Sequence, residues 1–342
     1  MPTSSLCGSG LPTAKFAPRR ALPRHRLRRH RIWAVVAVLV LGGCAGLWSG
    51  RAPLTDARLE LTDTAFFPQQ AYQCGPAALA TVLDASGVPV HPDDLAPAVY
   101  LPERQGTLQV ELLAAARRHG RLAVELQGGL PDIVRQLEAG RPVLVLQNLA
   151  VSFLPVWHYA VVVGYDPERD HFVLRSGSER REITRRARFE ASWRRGGHWA
   201  LVVLAPDAAP AGLTPREYLA AAADLENTGA HQHAVTAFRN ALSAWPGEPL
   251  ARLGEANNLY YLGRLEEAAD AYRRLVERHP DQVVGVHNLV MLLIETGRPC
   301  EAKGVLENAR HLEGSLMDTA RRAVAAAAGP CAASADSGLS LD

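Results

Sequence analysis

Gly229, Gly263 and Gly297 stand 34 residues apart, and so do Ala234, Ala268 and Ala302, and Leu225, Leu259 and Leu293. Phe238, Tyr272 and Leu306 fill one bulky position at the same interval, and Pro246 and Pro280 close their units. A glycine supplies the left-handed turn between two helices, a small alanine lets those helices cross closely, and a proline stops the second one. A helix pair of this length cannot bury its own apolar face, so successive pairs must stack and share a core. Thr214-Pro215-Arg216-Glu217 marks the start of the first helix, with a capping box and proline at the first helical position. Leu316 to Ala328 reads as a capping helix after the third pair.

This pattern resembles tetratricopeptide repeats. The resemblance implies an all-α solenoid over residues 214–328 whose concave groove binds a substrate peptide or a partner protein. Ala205 to Gly212, rich in proline and alanine, reads as the linker before it (206–213), and residues 329–342 read as a disordered tail.

At the other end, residues 1–31 hold eight basic residues and no acidic one, followed by the ten-residue apolar run Ile32 to Leu41. That run is short for a membrane span and suits a signal-peptide core. It ends in Leu41-Gly42-Gly43-Cys44, which resembles the lipobox of bacterial lipoproteins. The resemblance implies removal of residues 1–43, lipidation of Cys44 and a tether over 44–62. With Ala45 following the cysteine, it also implies an exported outer-membrane lipoprotein facing the periplasm. The leader takes eight of the 37 basic residues with it, so the remainder carries 29 against 35 acidic ones, a net charge of −6. That balance argues against a nucleic-acid partner. Of the five cysteines, Cys300 and Cys331 are candidates for a disulfide, and Cys74 is then the odd thiol.

Between leader and repeats, Phe66 to Gly87 (FFPQQAYQCGPAALATVLDASG) is a polar loop ending in Cys74, followed by a helix that is apolar nearly all round. Pro76 suits the first turn, so Cys74 sits at a helix N-terminus, where the macrodipole favours a thiolate nucleophile. Helical periods at Thr107 to Arg118 and Leu130 to Ala139 alternate with strand-like runs at 122–126, 142–146, 159–163, 172–174 and 199–204. The segment therefore predicts an α+β domain, with helices around Cys74 packed on an antiparallel sheet. A cysteine nucleophile needs a base within reach, a group that orients the base and an oxyanion donor. His158, heading the strand at 159–163, is the candidate base, and His198, also heading an apolar strand, is its competitor. His91, His119 and His171 lie in turn-like surroundings and are expected to be solvated.

Pro68 to Leu79 (PQQAYQCGPAAL), then Gln105-Gly106-Thr107, Gly140-Arg141-Pro142-Val143 and His158 to Asp166 (HYAVVVGYD), resemble in order the C39-like cysteine peptidases, a papain-like family. The resemblance covers residues 63–205. It implies a peptidase with Cys74 as nucleophile, His158 as base and Gln69 as oxyanion donor, Gln70 and Gln73 being the alternatives. It implies a protein or peptide substrate and no cofactor. In the family an Asp or Asn orients the imidazole; here Arg175-Ser176-Gly177 fills that place, leaving Ser176 as candidate orienter, with Asp166 as the other candidate. The alternative function is a catalytically degenerate, peptidase-like adaptor that scaffolds a periplasmic complex.

Overall fold

The computed structural model describes residues 52–68 and 74–327. The chain divides into the units Met1–Ala52 and Pro53–Asp342, and every helix and strand described lies in the second. The leader, residues 44–51 of the expected tether with Cys44, Gln69, Gln70, Gln73, Cys331 and the 329–342 tail lie outside the described residues.

In chain order, β1 (Leu59–Glu60) precedes α1 (Cys74–Ala85), α2 (Pro92–Val99), β2 (Tyr100–Leu101), β3 (Gly106–Thr107), α3 (Gln109–Arg118) and β4 (Leu122–Glu125). Then come α4 (Leu130–Glu138), β5 (Val143–Asn148), β6 (Trp157–Asp166), β7 (His171–Ser176), β8 (Glu179–Arg185), α5 (Arg186–Arg195) and β9 (Ala200–Leu204). A seven-stranded antiparallel sheet runs β4-β9-β5-β6-β7-β8, with β1 paired to the far end of β6.

Period-two alternation sorts the sheet's side chains into two cores. Tyr159, Val161, Leu144, Leu146 and Leu201 face α1, α2 and α3. Ala160, Val162, Val143, Val145 and Val202 face α4 and α5, where Ile133, Phe189 and Trp193 cover them. Helices therefore cover both faces. That is why β5 and β9 are wholly buried, β9 reading as an unbroken apolar run and β5 as one from Val143 to Leu146.

Three elements depart from the expected pattern. His91 to Pro102 contains the helix α2, because Pro92 takes its first turn and the His91 ring accepts a hydrogen bond from Asp93 N. Thr107 is not helical but pairs with Tyr100 in a two-stranded ribbon, so α3 starts two residues later than expected. The polar stretch 179–195 forms β8 and α5, which bury mainly Thr184, Phe189 and Trp193.

The remaining helices are α6 (Pro215–Asn227), α7 (His231–Ala244), α8 (Pro249–Tyr261), α9 (Leu265–Arg278), α10 (Val283–Glu295), α11 (Pro299–Asn308) and α12 (Ser315–Ala327). They form three pairs and a terminal helix. Gly229, Gly263 and Gly297 each turn the chain inside a pair with φ of 76°, 71° and 73°. Ala234, Ala268 and Ala302 are fully buried at the crossings. The Thr214–Glu217 capping box is formed in full.

The connector 206–213 has no regular structure but is tied down. Arg141 donates to Ala209 O and Ala211 O, and Gln136 donates to Gly212 O. Helix α6 packs on β4, and one apolar core runs from the sheet through Tyr218, Ala222 and Leu225 into α7. Cys74 is a free thiol, whereas Cys300 is disulfide-bonded. Among the described residues, no helix is long and apolar enough to cross a membrane.

Candidate active site

Cys74 is the first residue of α1, and the nine residues from Gly75 to Leu83 behind it are all buried. A run with no polar face cannot lie on a surface, so the helix is driven into the middle of the domain with its N-terminus at one end of the sheet. Gly75 permits this seating: a Cβ there would overlap the Thr107 hydroxyl. The Thr107 carbonyl in turn accepts a hydrogen bond of 3.1 Å from the Tyr159 hydroxyl. Gly75, Thr107 and Tyr159 thus lock the helix N-terminus against β6, and Cys74 packs into the same apolar cluster as Tyr159. Burial, and secondarily the neighbouring Cys74, pushes the Tyr159 phenol above its ordinary range, so Tyr159 acts as a neutral hydrogen-bond donor. Trp199 packs edge-on against the ring, with centroids 5.8 Å apart.

His158 is the residue before Tyr159, half-buried near the start of β6 and paired across β5 with Gln147. Its Nε2 lies 2.9 Å from Ser176 Oγ, and Ser176 is buried at the end of β7. Val161 pairs with Arg175, so Ser176 reaches His158 diagonally across the β6–β7 ladder. With Nε2 engaged, Nδ1 is the ring nitrogen left for other chemistry.

Burial lowers the His158 pKa below the ordinary 6.5, and the Glu182 carboxylate opposes that shift. Glu182 sits on β8 opposite Leu174, on the face that carries Ser176 at the next alternate position. Sequence reasoning missed it. Its polar strand has no alternating apolar signal, and only the β7–β8 pairing brings it toward the imidazole.

The other candidates lie elsewhere. Asp166 ends β6 eight residues beyond His158, and its carboxylate accepts from Arg169 N at 3.1 Å, so it shapes the β6–β7 turn rather than the imidazole. His198 is exposed in a left-handed turn (φ 57°), with its ring against Trp193. His91 caps α2 and His119 is exposed, whereas His171, expected to be solvated, is half-buried.

Arg175 occupies the place beside Ser176 as a buried structural clamp. Its guanidinium donates to Thr62 O at 3.1 Å, Thr64 O at 3.2 Å and Arg180 O at 2.6 Å. It therefore fastens the segment that leads toward Cys74 onto β7 and β8. Arg175→Ala would leave the buried Thr64 carbonyl unpaired and is expected to cost about 1–3 kcal/mol, the penalty of one unmet buried group. Urea unfolding with an unchanged m-value would check it.

Residues 61–201 match the Peptidase_C39 like family and form a C39-like peptidase domain. Among solved structures, a putative C39-like peptidase from Bacillus anthracis is 18% identical, covers 44% of this chain and 98% of its own, and has a TM-score of 0.38. The peptidase domain of Streptococcus ComA, a bi-functional ABC transporter, is 19% identical over 41% of this chain and 98% of its own, at a TM-score of 0.34. The Streptococcus mutans ComA peptidase domain is 18% identical over 40% and 97%, at 0.28. No curated protein matches the chain at a significant level.

Proposed function

We propose that this protein is a cysteine peptidase in which Cys74 attacks a peptide carbonyl and His158 carries the proton. The observation that carries the reading is the match of residues 61–201 to the C39-like family, a segment in which Cys74 heads α1 and His158, near the start of β6, is bonded through Nε2 to Ser176. Ser176 Oγ accepts the Nε2 proton, which leaves the Nδ1 lone pair to take the thiol proton. The sulfur–carbon bond forms, the carbonyl electrons move to oxygen, and Gln69 with the Cys74 backbone N–H holds that charge. Collapse breaks the carbon–nitrogen bond as His158 returns the proton to the leaving amine, and water then hydrolyses the thioester. No cofactor enters this sequence. Cys44 is the lipid attachment point, and the protein is an outer-membrane lipoprotein facing the periplasm. The helix pairs are tetratricopeptide repeats that bind the protein substrate or a partner.

A thiol-reactive activity probe tests the reading. Labelling near neutral pH that disappears in Cys74→Ala is expected, together with cleavage of an unfolded protein substrate. A second reading, a degenerate adaptor, is favoured by the uncharged Ser176 in place of a carboxylate; absence of Cys74-dependent labelling would establish it.

The pH dependence follows from His158. Burial favours its neutral form, so the folded chain loses stability as pH falls through the lowered pKa, and that contribution is fully present above 6.5. Glu182→Gln removes the charge that opposes this shift. The His158 titration, followed by NMR of the ring protons, is therefore expected to move to still lower pH, and the acid limb of kcat/KM with it. A midpoint unmoved or raised in Glu182→Gln would remove Glu182 from the site.

A further inference from the structure

The hairpin between β5 and β6 carries an apolar surface next to the candidate active site. From Asn148 to Trp157 the sequence, NLAVSFLPVW, contains no charged residue. Leu149, Val151, Phe153, Leu154, Val156 and Trp157 are all exposed, Phe153 at 89% and Leu154 at 68%. Such side chains in water are unfavourable unless something covers them.

The loop is nevertheless preorganised. Asn148, 1% exposed, accepts hydrogen bonds from Ala150 N at 3.1 Å and Val156 N at 3.0 Å. Leu149 N donates to Val156 O, and Leu154 N to Val151 O. The turn thus satisfies much of its own backbone, as an element entering a medium without water must. Arg195, at the end of α5, donates to Asn148 O at the hairpin's base, and Arg194 beside it is exposed.

We propose that this hairpin inserts into the interface of a phospholipid bilayer bearing anionic headgroups, with Phe153 and Leu154 among the acyl chains and Trp157 at headgroup level. Shape favours a bilayer over a peptide. Phe153 stands clear of the fold, and a peptide docks in a concave groove, whereas lipid surrounds a projecting tip. Charge agrees, since an uncharged tip with the Arg195 guanidinium held at its base matches apolar chains under anionic phosphates. Aromatic rings such as Trp157 favour that boundary. Insertion would bring His158, the next residue, to the membrane surface, so protein close to the bilayer would be the material within reach. The proposal stands apart from the catalytic reading, because the surface exists whether or not the thiol is active.

The test uses the full chain with phosphatidylethanolamine–phosphatidylglycerol vesicles, some with brominated acyl chains. The emission lost in Trp157→Phe isolates Trp157, and bromine is expected to quench it. The double variant Phe153→Asp, Leu154→Asp retains the whole amino-terminal segment, so any difference from wild type belongs to the hairpin. It is expected to lose the quenching and to bind vesicles about tenfold more weakly, with an unchanged thermal transition and unchanged thiol-probe labelling. Phe153→Ser provides a milder variant should the charges disturb folding. Trp157 emission indifferent to brominated chains in wild type would overturn the proposal. So would a double variant that is quenched like wild type but shows a raised KM for a soluble peptide, which would assign the surface to substrate.

Discussion

Cys74→Ala is expected to abolish peptide hydrolysis, lowering kcat by about 10³-fold or more, while leaving the fold and its thermal transition intact. Alanine suits the position physically. Cys74 opens a helix whose next nine residues are buried, and alanine is the best helix former and keeps the Cβ that packs beside Tyr159. The loss would therefore report chemistry rather than structure. A turnover assay with a mass-analysed product checks it: hydrolysis yields a free acid, and transfer to an amine yields an amide. His158→Ala is expected to reach a similar floor, because nucleophile and base act as a unit and their losses do not add. A Cys74→Ala protein that still cleaves at wild-type rate would remove the thiol from the mechanism. A wild-type protein with neither probe labelling nor turnover would leave the adaptor reading in place.

Much of this arrangement is legible in the chain. The helix behind Cys74 announces its burial because it lacks a polar face, and the strand of His158 because its apolar run has turn residues on both sides. The 34-residue spacing places three glycines in left-handed turns and three alanines at helix crossings. What stays hidden depends on pairing across the fold. Glu182 lies on an edge strand reading ERREITR, where no apolar alternation marks an inward face. Arg175 reads as a misplaced charge until its guanidinium meets the carbonyls of Thr62, Thr64 and Arg180, and carbonyls carry no sequence signal. Helix α2 is masked by Pro92 and Pro97, of which the first is at home in an opening turn. The exposure of Phe153 and Leu154 is equally invisible, since an apolar run between two strands reads as core until the loop is seen to project.

The connector 206–213 misleads most, because proline and alanine suggest a hinge while its backbone carbonyls are held by Arg141 and Gln136. The consequence is cooperative unfolding. Strand β4 is an edge of the sheet, and α6 packs against it through the shared core of Leu122, Val124, Tyr218 and Leu225. Tyr218 lies at the centre of that junction. It is fully buried, its hydroxyl donates to Pro206 O at 3.1 Å and accepts from Asn240, and its ring packs edge-on to Trp245. Its phenol pKa is pushed up to about 12, chiefly by burial, so the group stays neutral. Tyr218→Ala opens a cavity of ring size and strands two polar partners, a change expected to cost about 4 kcal/mol by analogy with buried aromatic truncations. For a unit of this size that corresponds to a fall in Tm of roughly 8–12 °C. Two probes decide whether the core is shared: far-UV circular dichroism, dominated by the helices, and the rate at which Cys74 becomes reactive on heating. In the wild type both are expected to change together, and in Tyr218→Ala both should shift by the same amount. If Cys74 exposure kept its wild-type midpoint while the helical signal melted early, the helix pairs would be an independent domain leaning on the sheet.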